Sequence, residues 1–238
     1  MYKSFGLVTL ILYGCQTGGS TPSGGDRNDA ADRASTVQEF VQRTYIHGVP
    51  YEEALRFGRE NIPILLDMLK DRKEELSWSN IVVTLCIIGD DTVAKPVVEF
   101  IDKGPAGNIP DGYYAAKSNA VMALGYLINK TGNKEALTYL KQSVDPKAWP
   151  DRKVEWKAEF QATDDERNAQ LSTMAVLGLA LSGHPEAGEA LRKLQRQPET
   201  PTQKAFAAAV TNTLAEALKD HEKIAGQGLR EYYRKSKP

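Results

Sequence analysis

Cysteine is scarce in this sequence, with two residues among 238, and so is histidine, with three. Two cysteines cannot build a disulfide framework or a cysteine-rich zinc site, and the histidines lack the spacing of metal ligands. Neither sign of charge dominates, because 30 basic residues stand against 31 acidic ones. This balance argues against a nucleic-acid partner. We therefore expect no metal and no nucleic acid.

The motifs of common enzyme classes are also missing. No glycine-rich phosphate loop joins a strand to a helix, and no nucleophile elbow occurs. Asp90-Asp91 and Asp164-Asp165-Glu166 could be imagined as acid/base pairs, but their positions at predicted helix starts favour capping and interaction with the helix dipole. The sequence therefore predicts a protein that performs no chemistry and needs no cofactor.

An apolar run lies at the start of the chain. Lys3 supplies a positive charge, and residues 5–12 are nearly all apolar. The run is too short to span a bilayer and is typical of a secretory signal. Residues 12–15, Leu-Tyr-Gly-Cys, resemble the lipobox of bacterial lipoproteins. That resemblance implies cleavage before Cys15 and attachment of two acyl chains to this cysteine. The alternatives are an ordinary secretory signal or a start codon assigned too early.

A segment rich in Gly, Ser and Asp follows, without apolar periodicity, which is typical of a flexible tether. We therefore expect three regions: a lipoprotein signal peptide over residues 1–14, a tether from the lipidated cysteine over residues 15–35, and a helical domain over residues 36–238. This organisation predicts a lipid anchor in the cell membrane or outer membrane, with the bulk of the chain in the periplasm or otherwise outside the cytoplasm.

The remainder of the chain repeats itself. Apolar residues recur at three- and four-residue spacings, the pattern of helices with one buried face. Residues 79–86 (SNIVVTLC) align with residues 118–125 (SNAVMALG) at an offset of 39, and Leu177-Gly178 matches Leu124-Gly125. A second block, residues 97–101, matches residues 136–140 at the same offset. We expect helix pairs near residues 36–70, 75–102, 113–144, 165–196 and 202–234.

These blocks resemble the HEAT-repeat family. The residues responsible are Asn80-Ile81-Val82 with Leu85, Ile88, Gly89 and Asp90, then Ala120-Val121 with Ala123-Leu124-Gly125, and Met174-Ala175-Val176-Leu177-Gly178. The resemblance covers residues 51–194 and extends more loosely over 203–233. It implies an all-α fold, a right-handed α-solenoid of about four to five HEAT-like helix pairs. Glycines at 89, 132 and 183 are expected as left-handed helix ends.

Cys86 occupies the place that glycine takes in the other two copies, Gly125 and Gly178. A position that is always small indicates close helix packing. A buried free cysteine behaves as a small hydrophobe, whereas a reactive thiol needs exposure and a lowered pKa. We therefore interpret Cys86 as a structural residue.

Two segments are candidates for a binding surface. Residues 144–163 lengthen one repeat and contain Trp149, Trp156 and Phe160. These three aromatics are candidates for partner binding, or alternatively they fold back and plug the space between repeats. Residues 229–237 are basic and could meet anionic lipid or form a solvated helix end.

The sequence thus favours a membrane-anchored protein of the cell envelope that serves as a scaffold or adaptor for envelope proteins not identified by the sequence. This follows from the resemblance, because helical repeats usually present extended binding faces, and fold alone does not fix function. Two alternatives remain: a HEAT-like enzyme, such as a lyase or a glycosylase, and a small-ligand carrier that uses the aromatics at 149, 156 and 160.

Overall fold

The computed structural model describes residues 36–236 and is almost entirely helical. The expected signal peptide, Cys15 and the tether lie outside the described residues. The helices are α1 (Val37–Gln42), α2 (Tyr51–Ala54), α3 (Ile62–Lys70), α4 (Trp78–Ile88), α5 (Ala94–Asp102), α6 (Asp111–Thr131), α7 (Lys134–Ser143), α8 (Ala148–Asp151), α9 (Asp164–Ser182), α10 (Pro185–Arg196), α11 (Pro201–Ala209) and α12 (Thr211–Ser236). Three short 3-10 helices and two three-residue strands, β1 (Gly107–Ile109) and β2 (Trp156–Ala158), complete the described chain. The all-α expectation is confirmed at this level.

The long helices form two layers. In the first layer, α4 packs on α6, α6 on α9 and α9 on α12. In the second layer, α5 contacts α7 and α7 contacts α10, and each of these helices also packs on the first layer. The expected pairs 75–102, 113–144 and 165–196 correspond to α4–α5, α6–α7 and α9–α10. Successive helix pairs therefore lie beside one another in chain order.

Three leucines that align in sequence are buried in neighbouring helices of the first layer. Leu85 in α4 and Leu124 in α6 are 0% exposed, and Leu177 in α9 is 1% exposed. The expected burial of these leucines is therefore confirmed. The apolar area that each removes from water supports the layer.

The small residues that follow these leucines mark the closest approach between helices. A Cβ atom added to Gly125 would lie 2.1 Å from the main-chain oxygen of Gly178, and one added to Gly178 would lie 3.1 Å from the oxygens of Val121 and Met122. Cys86 is fully buried at the equivalent place in α4. The backbones of α6 and α9 therefore touch, and only glycine fits between them.

The helix ends follow the expected chemistry with one exception. Gly132 (φ 68°) and Gly183 (φ 57°) end α6 and α9 in the left-handed conformation. Gly89 does not, since its backbone is extended (φ −60°, ψ 164°). The chain there passes directly into a 3-10 helix, where the Asp90 side chain accepts a hydrogen bond from the Thr92 amide. The expectation for Gly89 was therefore wrong, because the second helix starts too soon for a left-handed turn.

Polar side chains of the first layer also satisfy the carbonyl ends of neighbouring helices. Asn80 of α4 donates to the Val41 and Arg43 oxygens at 2.9 Å, at the end of α1. Asn129 of α6 donates to the Ser182 oxygen of α9 at 2.9 Å. The last carbonyls of a helix have no partner within it, so these bonds tie the ends of α1 and α9 to neighbouring helices.

The contact between Gly125 and Gly178 predicts that alanine destabilises the protein at position 125 but not at an open glycine of the same helix. Gly125→Ala forces α6 and α9 apart and should lower the free energy of unfolding by about 1–3 kcal/mol, the usual range for overpacking. Chemical denaturation measures this loss. Gly112→Ala is the matched control in the same helix, because nothing lies within 4 Å of its added Cβ. That control should change stability by less than about 0.5 kcal/mol, because Gly112 is exposed in the first turn of α6. Equal effects at both positions would contradict the close contact.

Candidate functional site

Residues 144–163, here called the insert, are the longest interruption of the helix pairs. The insert forms α8, turns at Lys153 (φ 59°) and continues into β2. Strand β2 runs parallel to β1 in the α5–α6 connection, with Gly107 opposite Trp156 and Ile109 opposite Ala158. The sequence did not predict these strands. The insert is thus attached by backbone pairing to a connection some fifty residues earlier.

Two of the three predicted partner-binding aromatics lie in the interior. Trp149 is 0% exposed and donates its indole N–H to Ser172 Oγ of α9 at 2.9 Å. Trp156 is 1% exposed and donates to the Ile101 oxygen at 3.0 Å. Phe160 is 61% exposed, and one edge of its ring contacts Tyr114. Trp149 and Trp156 therefore fill space between helices, which corrects their assignment as a binding surface, and Phe160 alone remains exposed.

A buried lysine lies beneath the insert. Lys117 of α6 is 0% exposed, and its ammonium donates hydrogen bonds to the main-chain oxygens of Phe100, Ile101 and Lys103. The rings of Phe100, Tyr113 and Trp156 surround it, with centroids 4.8–4.9 Å from Nζ. Carbonyl oxygens and aromatic faces both stabilise a cation. We call these three rings and Lys117 the cation cage.

The cation cage has an unusual acid–base character. Burial lowers the pKa of Lys117 to about 7, and the charge of Asp102 opposes the shift. A lysine with such a pKa suits general-base or Schiff-base chemistry. Its nitrogen is closed off from solvent, however, because Trp156 and the α5–α6 connection cover it. In the described conformation Lys117 therefore joins the end of α5 to the insert.

A second polar cluster holds the other side of the insert. Tyr139 of α7 donates its hydroxyl to Asp102 Oδ1 at 2.6 Å. The Arg152 guanidinium lies 4.0 Å from the centre of the Tyr139 ring and donates to Ser143 Oγ at 2.7 Å. Burial raises the pKa of the Asp102 carboxyl, while the Tyr139 hydrogen bond and the charges of Arg152 and Lys117 oppose the rise.

A third cation lies at the start of α9. Arg167 is 1% exposed and donates to the Trp156 oxygen at 3.0 Å and to Asn168 Oδ1 at 2.8 Å. It also forms an ion pair with Asp164 at 3.5 Å. Burial lowers the pKa of Arg167, and Asp164 opposes that shift. Lys117 of α6 and Arg167 of α9 thus contact Trp156 of the insert, and Arg152 of the insert contacts α7.

Sequence reasoning missed Lys117 and Arg167. A signal for Lys117 was present, since it shares a helical stripe with Val121, Leu124 and Ile128, all buried. A charged residue in such a stripe marks a buried polar contact. No comparable signal pointed to Arg167, because its partner is a main-chain oxygen of the insert.

Two open grooves lie on the outer surface. One, of about 310 Å³, lies between α7 and α10 and is lined in part by Lys141, Val144, Glu186 and Leu194. Lys141 and Glu186 form an ion pair at 2.7 Å. Another, of about 520 Å³, is lined by Thr36, Phe57 and Ile64, among others. Neither groove is lined by Lys117, Asp102 or Arg167, the groups around the insert whose pKa values are shifted.

The remaining candidates for chemistry have structural environments. Burial raises the pKa of the Cys86 thiol, so it is a poor nucleophile. Thr163 and Glu166 form a capping box at the start of α9, in line with the capping interpretation of the acidic run. Within residues 36–236, no group of three His, Cys, Asp or Glu side chains is placed to hold a metal ion. No helix in that range is long and apolar enough to cross a membrane.

Burial of the insert predicts a loss of stability when its tryptophans are truncated. Trp149→Ala and Trp156→Ala should each lower the free energy of unfolding by about 3–5 kcal/mol, the range for large aromatic truncations in a core. Phe160→Ala is the control from the same segment and should change it by less than about 0.5 kcal/mol. Urea denaturation of the three variants measures the difference. A neutral Trp156→Ala would show that the insert does not pack as described.

The cation cage predicts a pH dependence of stability. The folded pKa of Lys117, about 7, lies below the value of about 10.4 for an unfolded lysine. Between these values the unfolded chain binds the extra proton, so stability rises with pH, by up to about 1.4 kcal/mol per pH unit from this group. We expect Lys117→Met to remove that slope between pH 7 and 9. Other titrating groups, such as Cys86, are common to both proteins and cancel in the difference. Parallel slopes would contradict the lowered pKa.

Comparison with family models, with curated proteins and with solved structures found no match to this chain. The layered helix pairs, the buried insert and the open outer grooves are therefore the features that bear on its function.

Proposed function

We propose that this chain is a lipid-anchored protein of the bacterial cell envelope that binds other proteins and performs no catalysis. In this proposal its helices form a right-handed α-solenoid of about four to five HEAT-like pairs. The observation that carries the proposal is the burial of Leu85, Leu124 and Leu177, which align in sequence, in three adjacent helices. Stacked repeats of this kind present continuous faces to partners.

The placement of ionisable groups favours binding over catalysis. Enzymes place groups with shifted pKa values in a cleft that substrate can enter. Here the lysine with the lowered pKa lies in the cation cage, and Asp102 is bonded to Tyr139. The grooves on the surface are open and lined by ordinary ion pairs and apolar side chains. Such surfaces suit contact with another protein.

The membrane anchor rests on the sequence alone. The apolar run that ends at Gly14-Cys15, followed by a segment rich in Gly and Ser, is the arrangement of a lipoprotein signal and tether. Two acyl chains on Cys15 would give stable attachment to a bilayer. The helical domain would then stand away from the membrane at the end of the tether and meet partner proteins in the envelope.

The anchor is tested by removing the cysteine that would carry the acyl chains. Cys15→Ser should move the protein from the membrane fraction to the soluble or unprocessed pool, and mass spectrometry should find acyl chains only on the wild-type N-terminal peptide. Unchanged fractionation without lipid on the peptide would contradict the anchor.

Partner binding is tested by placing a photoreactive residue at exposed positions of the anchored protein. Leu76 (96% exposed), Phe160 (61% exposed) and the groove residue Gln197 offer three separate surfaces. Irradiation in membranes should give a discrete crosslinked product at one or more of them, identified by mass spectrometry. Absence of products at all three positions would count against the scaffold function, whatever the result for Cys15.

A further inference from the structure

The end of the described chain reverses direction and packs against the rest of the molecule. Helix α12 is interrupted at Gly228, whose backbone (φ 79°, ψ 161°) is not helical. Beyond it, Lys235 Nζ donates a hydrogen bond to Gln227 Oε1 at 3.1 Å, and burial together with the nearby Asp220 carboxylate raises the pKa of Tyr232. A continuous helix would separate Tyr232 from Asp220 by about 18 Å along its axis. Residues 229–235 therefore fold back, and we call them the strap.

The strap covers a face formed by two tyrosines from distant helices. The Tyr233 ring stacks on Tyr51 of α2 and on Tyr126 of α6, with centroid distances of 5.1 and 6.3 Å. Tyr51 and Tyr126 also stack on each other at 5.9 Å, and the hydroxyls of Tyr126 and Tyr233 are hydrogen-bonded. We call Tyr51, Tyr126 and the adjoining Glu52 the tyrosine face.

A charge contact fixes the direction of the strap. Arg230 Nε donates to the Glu52 carboxylate at 3.1 Å, and both side chains are well exposed, at 72% and 42%. Arg230 and Tyr233 are three residues apart, so they lie on the same side of one helical turn. Tyr232 and Leu229, at 4% and 3% exposed, face the protein as well. In the basic tail, Leu229 and the aromatic residues are thus turned inward, while the charged side chains of Arg230, Arg234 and Lys235 stay exposed.

The strap has the properties of a replaceable element. It is joined to α12 by one glycine in a conformation that other residues rarely adopt. The part of α12 before Gly228 has its own buried residues, Leu214, Ala217 and Ile224, and packs on α9 and α10. Removal of the strap would thus uncover the tyrosine face while leaving the helix layers in place.

We propose that the tyrosine face is a binding site for a short helical segment of a partner protein, and that the strap occupies it as an internal competitor. The matching segment carries two adjacent aromatic residues and a basic residue three positions before the second. Its aromatic ring stacks on Tyr51 and Tyr126, and its base pairs with Glu52. A tethered competitor at high effective concentration keeps the site closed until a partner of higher affinity displaces it. This inference specifies a surface for the proposed protein-binding function and rests on it.

Binding of the strap in trans tests the proposal with purified protein. The probe is a fluorescent peptide of residues 228–235, and its anisotropy reports binding. The full chain with Tyr233→Ala holds its own strap weakly, so we expect it to bind the peptide at least tenfold more tightly than the wild type. A peptide in which Tyr232 and Tyr233 are alanine is the control and should not bind. Equal binding of the peptide by wild-type and Tyr233→Ala protein would overturn the proposal.

A charge exchange tests the orientation. Glu52→Arg in the Tyr233→Ala protein should weaken binding of the wild-type peptide. A peptide that carries Arg230→Glu should restore the binding. If the Tyr233→Ala chain does not fold, Arg230→Ala replaces it, since that side chain is mostly exposed, with a smaller gain expected. Failure of charge reversal to restore binding would overturn the assigned contact. If the peptide does not bind but photocrosslinking in membranes succeeds, the scaffold function stands and the tyrosine face is not the binding site. Peptide binding without any crosslinked partner would count against the scaffold function instead.

Discussion

The contact between Gly125 and Gly178 sets the spacing on which the rest of the structure depends. With no side chains between them, α6 and α9 lie close enough for backbone contact, and the leucines beside the glycines are buried on both helices. That spacing also positions Ser172 of α9 to receive the Trp149 indole. A wider separation would leave a gap that the insert is too well packed to fill, because protein interiors hold few voids.

The insert illustrates how cations can be buried without a matching number of carboxylates. Lys117 meets the main-chain oxygens at the end of α5, and Arg167 meets a main-chain oxygen of β2. Helix carboxyl ends bear partial negative charge, so the fold supplies counter-charge from its backbone. The aromatic rings add to it through their negative faces. Main-chain oxygens and aromatic rings thereby take the place of carboxylates as partners of these buried positive side chains.

Local patterns accounted for much of the fold. Apolar spacing predicted the helix pairs, and the alignment of Leu85, Leu124 and Leu177 predicted their burial, because both depend on residues close together in sequence. The pairing of β1 with β2 and the contact of Tyr51 with Tyr233 join segments about 50 and 180 residues apart. No short pattern encodes such contacts. For the same reason, the aromatics of the insert were visible in sequence but the burial of Trp149 and Trp156 was left open.

Closure by the strap also has a mechanical consequence. A row of helix pairs held only by neighbouring contacts can lengthen under tension, since each interface opens a little. Here α2 near one end is joined to residues 230 and 233 near the other. Tension applied between the two ends of the described chain would load the Tyr51–Tyr233 stack, the Arg230–Glu52 ion pair and the buried side chains of Leu229 and Tyr232. The strap would thus share that load with the helix interfaces.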